Sequence, residues 1–304
     1  MEKLKKEQLK KMEKWIYENA RPLEVAKWKL LWEKGSKDDV LREMLKYQNA
    51  DGGFGNAFES DMLLPKSSAI ASTEAIFTTF NFDLDVNDKW FLDLLDYFMK
   101  TKQKTPSYWE AVPKEVEDYP RAPWWNYNPD TEFSPNPCAV VAAAMILYGN
   151  NEQKTLGDEI AEKCISLLKS DKAVGDHDIY CIQKLFIALK KTDSALLDEE
   201  TYKAMNRRIL SNVCLKPEEY MNYVAQPLDF IDSTESPWYN LLKEHIPMNI
   251  DFWLNNINDE GVWTPNFSWG VNTLEAGNAT KNWKGYMAVK RVRILKNFGA
   301  IEEF

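Results

Sequence analysis

The stretch "YQNADGGFGNAFESD", residues 47–61, packs a glutamine, a Gly-Gly pair, an aromatic ring and three acids between two helical patterns. Its reading decides the fold. Gln48 stands where a helix ends, and its amide can serve orphan helix-end groups as donor or acceptor. Asp51 is an acceptor suited to turn amides or to a helix N-terminus. Gly52-Gly53 permits positive φ and a tight reversal. Phe54 can then pack its ring over the turn. Each residue of Gln48-x-x-Asp51-Gly52-x-Phe54 therefore has a structural task, that of a clasp between helices.

Working outward, the same arrangement recurs far along the chain. "LKYQNADGGFG" (45–55) aligns with "LNNINDEGVWT" (254–264), pairing Asn49 with Asn258, Asp51 with Glu260, Gly52 with Gly261 and Phe54 with Trp263. Both stretches follow an apolar helical pattern and precede a polar loop and another helix. A helix–clasp–helix unit seen twice predicts a ring or solenoid of helical hairpins. Helical periodicity dominates elsewhere. It predicts helices near 3–19, 22–33, 37–48, 68–81, 88–101, 135–148, 153–169, 176–191, 197–213, 237–256 and 281–297, with no persuasive period-two strand. Pro22 and Pro135 fit first helical positions, and Ser134 fits the cap before the second. No linker divides the chain, so 1–304 reads as one domain. A long Pro-rich, aromatic loop covers about 107–133, a length that usually covers or serves something.

Gln-x-x-Asp-Gly-x-Phe/Trp resembles the repeat signature of the terpenoid cyclase and protein prenyltransferase α/α-toroid superfamily. Gln48, Asp51, Gly52 and Phe54 match it, whereas the later copy has Ile257 in place of the Gln. The resemblance implies an all-α toroid, two layers of helices around a central cavity, with the motif as clasp and not as catalytic centre. It also implies isoprenoid chemistry, but the matching catalytic signatures are missing. "DLDVND" (83–88) is not the Asp-x-Asp-Asp acid motif. "GDHDIYC" (175–181) lacks the zinc-binding spacing of the prenyltransferases, although Asp176, His177 and Cys181 are of ligand type. A capped, packed helix explains that stretch better, with Asp176 as the cap. No metal and no cofactor is expected.

Composition narrows the rest. Among 304 residues are 12 Trp, a load that serves cores, sugar clefts or apolar cavities alike. The net charge of -9 argues against a nucleic-acid surface, which needs clustered Lys and Arg. The basic opening, "MEKLKKEQLKKMEKW", alternates with Glu and reads as a solvated helix face. No secretory apolar core follows it, and no run approaches a membrane span. Cys138, Cys164, Cys181 and Cys214 are scattered and read as buried, reduced thiols. The expectation is a cytoplasmic protein. A Ser-His-Asp hydrolase is disfavoured by only two His and no Gly-x-Ser-x-Gly, and "GGFG" lacks the Gly-Lys-Ser/Thr of a phosphate loop.

Carboxylate chemistry stays open. Glu59 and Asp61 follow the clasp and precede a helix start, where two acids can act as acid and base, or simply as solvated charges or partners of the helix dipole. In "YPRAPWWNYNPD" (119–130), Trp124 and Trp125 can wall a ligand or glue down a lid, with Arg121 and Asn126 as polar contacts. Trp263 and Glu275 carry the same ambiguity near the second clasp. The expected partner is a small molecule, isoprenoid-like or saccharide, in an aromatic cavity rimmed by acids. The alternatives are a carbohydrate-active hydrolase or lyase on a helical ring, and a ring that binds ligand or peptide without catalysis.

Overall fold

A computed structural model describes residues 2–103 and 108–302. Ser107, where the expected long loop begins, lies outside the described residues. The protein is all-α: among the described residues there are isolated bridges but no strand. In chain order the helices are α1 (Lys6–Asn19), α2 (Pro22–Trp32), α3 (Lys37–Met44), α4 (Ala69–Phe82), α5 (Lys89–Thr101), α6 (Pro135–Tyr148), α7 (Asn151–Lys169), α8 (Asp176–Lys191), α9 (Glu199–Asn212), α10 (Pro227–Phe230), α11 (Tyr239–Leu242), α12 (Ile246–Asn255) and α13 (Leu274–Asn297).

Local chemistry accounts for most helix starts. Pro22 opens α2, and Pro135 opens α6 behind Ser134, whose hydroxyl accepts the Asn136 N–H. Ser68 caps α4 by accepting the Ala71 N–H, and Asn150 caps α7 through Gln153 in a reciprocal box. Two expectations shift. The helix anticipated over 237–256 is broken, because Pro247 has no N–H to donate into the preceding turn, so α11 and a 3-10 turn stand before α12. The last helix starts at Leu274, earlier than its apolar periodicity indicates, because Thr273 caps the Ala276 N–H.

The chain divides into two compact units, one of Met1–Glu43 with Asn212–Phe304 and one of Met44–Ser211. In the Met44–Ser211 unit α6 is the core. It is buried at Pro135 and from Pro137 to Ile146, and its Ala-rich sequence lets α8 and α7 pack closely, with α4 and α5 against it as well. In the other unit α13 packs on α2 and α1, and α10 packs on α12. Residues 4 and 301 pair there: Leu4 N–H donates to Ala300 O at 2.9 Å, and Glu302 N–H to Leu4 O at 3.0 Å.

Each unit holds one copy of the clasp, and the two turns have the same backbone. Asn49 N–H donates to Gly53 O at 2.8 Å and Gly52 N–H to Asn49 O at 3.0 Å. In the second copy Asn258 N–H donates to Val262 O at 2.9 Å and Gly261 N–H to Asn258 O at 2.9 Å. The aligned glycines have φ of 93° and 90°, a region that favours glycine. The aligned rings, Phe54 and Trp263, are both buried. Side-chain tasks are distributed differently. Asp51 Oδ1 accepts the Gly53 N–H at 3.0 Å and the Ser67 hydroxyl at 2.7 Å. In the second turn Asn258 Oδ1 takes that place, accepting the Val262 N–H at 3.2 Å and the Glu260 N–H at 2.9 Å. Gln48 Nε2 donates to Gly52 O and to Trp90 O in the first turn of α5, each at 2.9 Å. Where Ile257 replaces the Gln, Trp263 Nε1 supplies a donor instead, to Trp253 O at 2.7 Å.

Candidate functional site

The segment after the first clasp folds into tight turns. Phe58 N–H donates to Gly55 O and Met62 N–H to Glu59 O. Residues 61–63 then pair antiparallel with 120–122: Leu63 N–H reaches Pro120 O at 2.9 Å, and Ala122 N–H reaches Asp61 O at 2.8 Å. This short ladder fastens the aromatic, Pro-rich segment to the acidic one. Pro123–Trp125 continues as a 3-10 turn.

Glu59 and Asp61 are both buried. The Asp61 N–H donates to Glu59 Oε1 at 3.1 Å. Burial raises the Glu59 carboxyl to a pKa of about 8, and repulsion from Glu74 and then Asp61 adds to the rise. The Asp61 N–H and the nearby Trp125 indole pull weakly the other way. That indole Nε1 is itself buried and closes no hydrogen bond of ordinary geometry. The arrangement is thus a carboxylic acid that keeps its proton at neutral pH, with two further acids and an indole close by. Such a group donates protons well. Glu74, which the reading of the sequence passed over, had one visible signal: it is the only charged residue in α4, "AIASTEAIFTTFNF".

The other expected contacts have defined places. Arg121 holds its own loop. Nε donates to Asn126 Oδ1 at 2.9 Å, while the terminal nitrogen NH1 donates to Val116 O, Glu117 O and Tyr119 O, closing the 3-10 turn Lys114–Asp118. Arg121 and Asn126 thereby pin one another. Trp125 lies at the Glu59 carboxyl, whereas Trp124 is 46% exposed. Trp263 and Glu275 belong to the other unit. Trp263 is buried there, and Glu275 stands in the first turn of α13.

At the start of α8 the N-cap position is Gly175; Asp176 Oδ1 accepts the first-turn His177 N–H at 2.9 Å, and Asp178 makes the longer-range ties. Asp178 Oδ2 accepts the Gly175 N–H at 3.2 Å, and Oδ1 accepts the Ser134 hydroxyl at 2.6 Å and the Asn136 N–H at 3.0 Å, tying α8 to the start of α6. Cys181 Sγ faces Asn136 Oδ1 at 3.6 Å. Among the described residues no group of three or more His, Cys, Asp or Glu side chains could hold a metal ion. Cys138, Cys164 and Cys181 are buried free thiols, whereas Cys214 is only partly buried. No helix among the described residues is long and apolar enough to cross a membrane.

A cleft of about 590 Å³ opens elsewhere in the Met44–Ser211 unit, beside the clasp. Asn49, Asp51, Ser67, Tyr97 and Glu110 are among its lining; Glu59 and Asp61 are not. Compared with models of known families, with curated proteins and with solved structures, the chain matches none.

Proposed function

We propose that the chain is a helical-ring protein resembling the terpenoid cyclase/prenyltransferase superfamily, and that Glu59 is the proton donor of an acid–base site for a neutral small molecule, saccharide or isoprenoid-like. The supporting observation is the pairing of buried Glu59 and Asp61, with half-buried Glu74 and Trp125 acting on Glu59, beside the 61–63/120–122 ladder. A buried acid of this kind can give its proton to a glycosidic oxygen as that bond breaks or, against a higher barrier, to an alkene carbon. Neutral substrates suit it because Arg121, the cation of this segment, is committed to backbone carbonyls and Asn126. The deciding experiment screens native protein and Glu59→Gln against neutral oligosaccharides and isoprenoid alcohols for both turnover and binding. Turnover lost in Glu59→Gln with binding retained supports the reading. Turnover that survives Glu59→Gln removes it.

The cleft beside the clasp favours a second reading, binding without chemistry. Its lining, which mixes polar and apolar side chains, does not include Glu59. Under that reading the same screen gives binding that Glu59→Gln leaves unchanged and Ser67→Trp blocks, with no turnover in any variant.

A further inference from the structure

The cations of α13 from Lys284 to Lys296 have partners with one exception. Lys284 pairs with Glu260, Lys290 with Asp229 at 2.9 Å, Arg293 with Asp232 at 3.2 Å, and Lys296 donates to Leu31 O at 2.6 Å. Arg291 lies instead over two indoles, 4.6 Å from the ring centroid of Trp253 and 5.3 Å from that of Trp263. Both rings are buried, and both indole N–H groups are engaged elsewhere, with Gln226 Oε1 and Trp253 O. Among the described residues no acceptor reaches the guanidinium. The acid that acts on it, Asp229, has both oxygens occupied: Oδ1 by Lys290 and Oδ2 by the Gln226 N–H at 3.0 Å.

A planar guanidinium carries five N–H donors whose natural complement is a carboxylate or a phosphate. Indole faces steady its charge but satisfy none of those donors in the ordinary way. Arg291 keeps part of its surface accessible. Its charge is nevertheless deeply desolvated, and burial pulls its pKa down to about 10 against the opposing pull of Asp229. A partly exposed arginine whose charge lies on two indoles and meets no acceptor keeps its donors available for an oxyanion.

We propose that Arg291, seated on Trp253 and Trp263, binds the carboxylate or phosphate group of a small ligand in the unit that contains α13. The proposal is independent of the acid site at Glu59.

The test is calorimetric titration of the full chain with inorganic phosphate and, separately, with acetate at constant ionic strength. Three variants accompany it: Arg291→Met, Arg291→Lys and Lys296→Met. Met keeps much of the stem that packs on the rings but carries no donor. Saturable binding by the native chain is expected, weakened at least about tenfold by Arg291→Met and less by Arg291→Lys, which keeps charge without the fork. Lys296→Met removes a cation that also lies over an indole, that of Trp32, and should leave the affinity unchanged. The two probes show whether a carboxylate or a phosphate is preferred. Failure of both probes to saturate the native chain overturns the proposal. So does equal affinity in Arg291→Met, or an equal loss in Lys296→Met. Should Arg291→Met not fold, Arg291→Lys decides, and native affinity in it overturns the proposal.

Discussion

The backbone N–H of Asp61 donates to the side chain of Glu59 at 3.1 Å, so two acids two residues apart are held in one buried turn where Asp61 opposes the ionisation of Glu59. The hydrogen bond favours an ionised Glu59; burial and the neighbouring acids favour a protonated one, and the latter prevail.

That balance sets a pH dependence. Glu59 ionises at 4.5 when unperturbed and at about 8 in the fold, so the folded chain holds a proton that the unfolded chain releases. Its contribution to stability therefore falls as pH rises from 4.5 to about 8, by at most ~1.4 kcal/mol per pH unit, and levels off above that window. Glu59→Gln cannot ionise and should lose this slope. Urea unfolding of both proteins at roughly pH 5, 7 and 9 reads it. The variant should gain on the native chain with rising pH, and parallel curves would refute the buried acid.

The two clasps predict a reversal of roles between aligned residues. Asp51→Ala removes acceptors for the Gly53 N–H and the Ser67 hydroxyl, a loss of about 1–2 kcal/mol. In the second clasp the corresponding loss belongs to Asn258→Ala, which strands the Glu260 and Val262 amides. Glu260→Ala, although aligned with Asp51, breaks only a partly exposed pair with Lys284 and should cost less than about 1 kcal/mol. Denaturant midpoints of the three variants check the order.

The aligned glycines should differ under substitution. Both have φ near 90°, so alanine is strained at either. At Gly52 the new Cβ would also meet the backbone oxygen of Asp93 at 2.2 Å, which cannot yield without moving α5. At Gly261 it meets the Lys11 side chain at 2.8 Å, which can swing away. Gly261→Ala is expected to cost about 1–2 kcal/mol and Gly52→Ala about 3 kcal/mol or more. Thermal melting of both variants is the measurement, and equal losses would refute the close approach at Gly52.

The thiols should separate by burial. Cys138 is pushed up to about 12 by desolvation, and Cys164 and Cys181 are raised by the same cause. Their thiolates are scarce and sterically covered, whereas Cys214 keeps exposed surface. Iodoacetamide at mildly alkaline pH should label Cys214 alone in the native chain and all four thiols in urea. Mass spectrometry of tryptic peptides reads the sites.

By itself the sequence determined the all-α class, the starts of most of the longer helices and the glycine of each clasp turn. Those features follow from signals a few residues long: Pro22 and Pro135 at first helical positions, Ser134 as a cap, Gly52 and Gly261 where φ is positive. Even the break before α12 is written locally, in Pro247, although apolar periodicity across 237–256 masks it. Tertiary structure decided which polar groups are buried and what meets them. Glu59 and Asp61 look like solvated loop acids until residues 120–122 pair over them and Glu74 arrives from α4. Arg121 looks like a ligand contact until carbonyls two to five residues back, with Asn126, take up its donors. Asn258 assumes the task read for Glu260 because its side chain points back into the turn, and Arg291 reveals its missing acceptor only where Trp253 and Trp263 come together beneath it. A turn or a cap is settled by the chain's own neighbours within one reversal. Desolvation and charge pairing depend on which distant segments come to share a surface, and no short stretch of sequence carries that information.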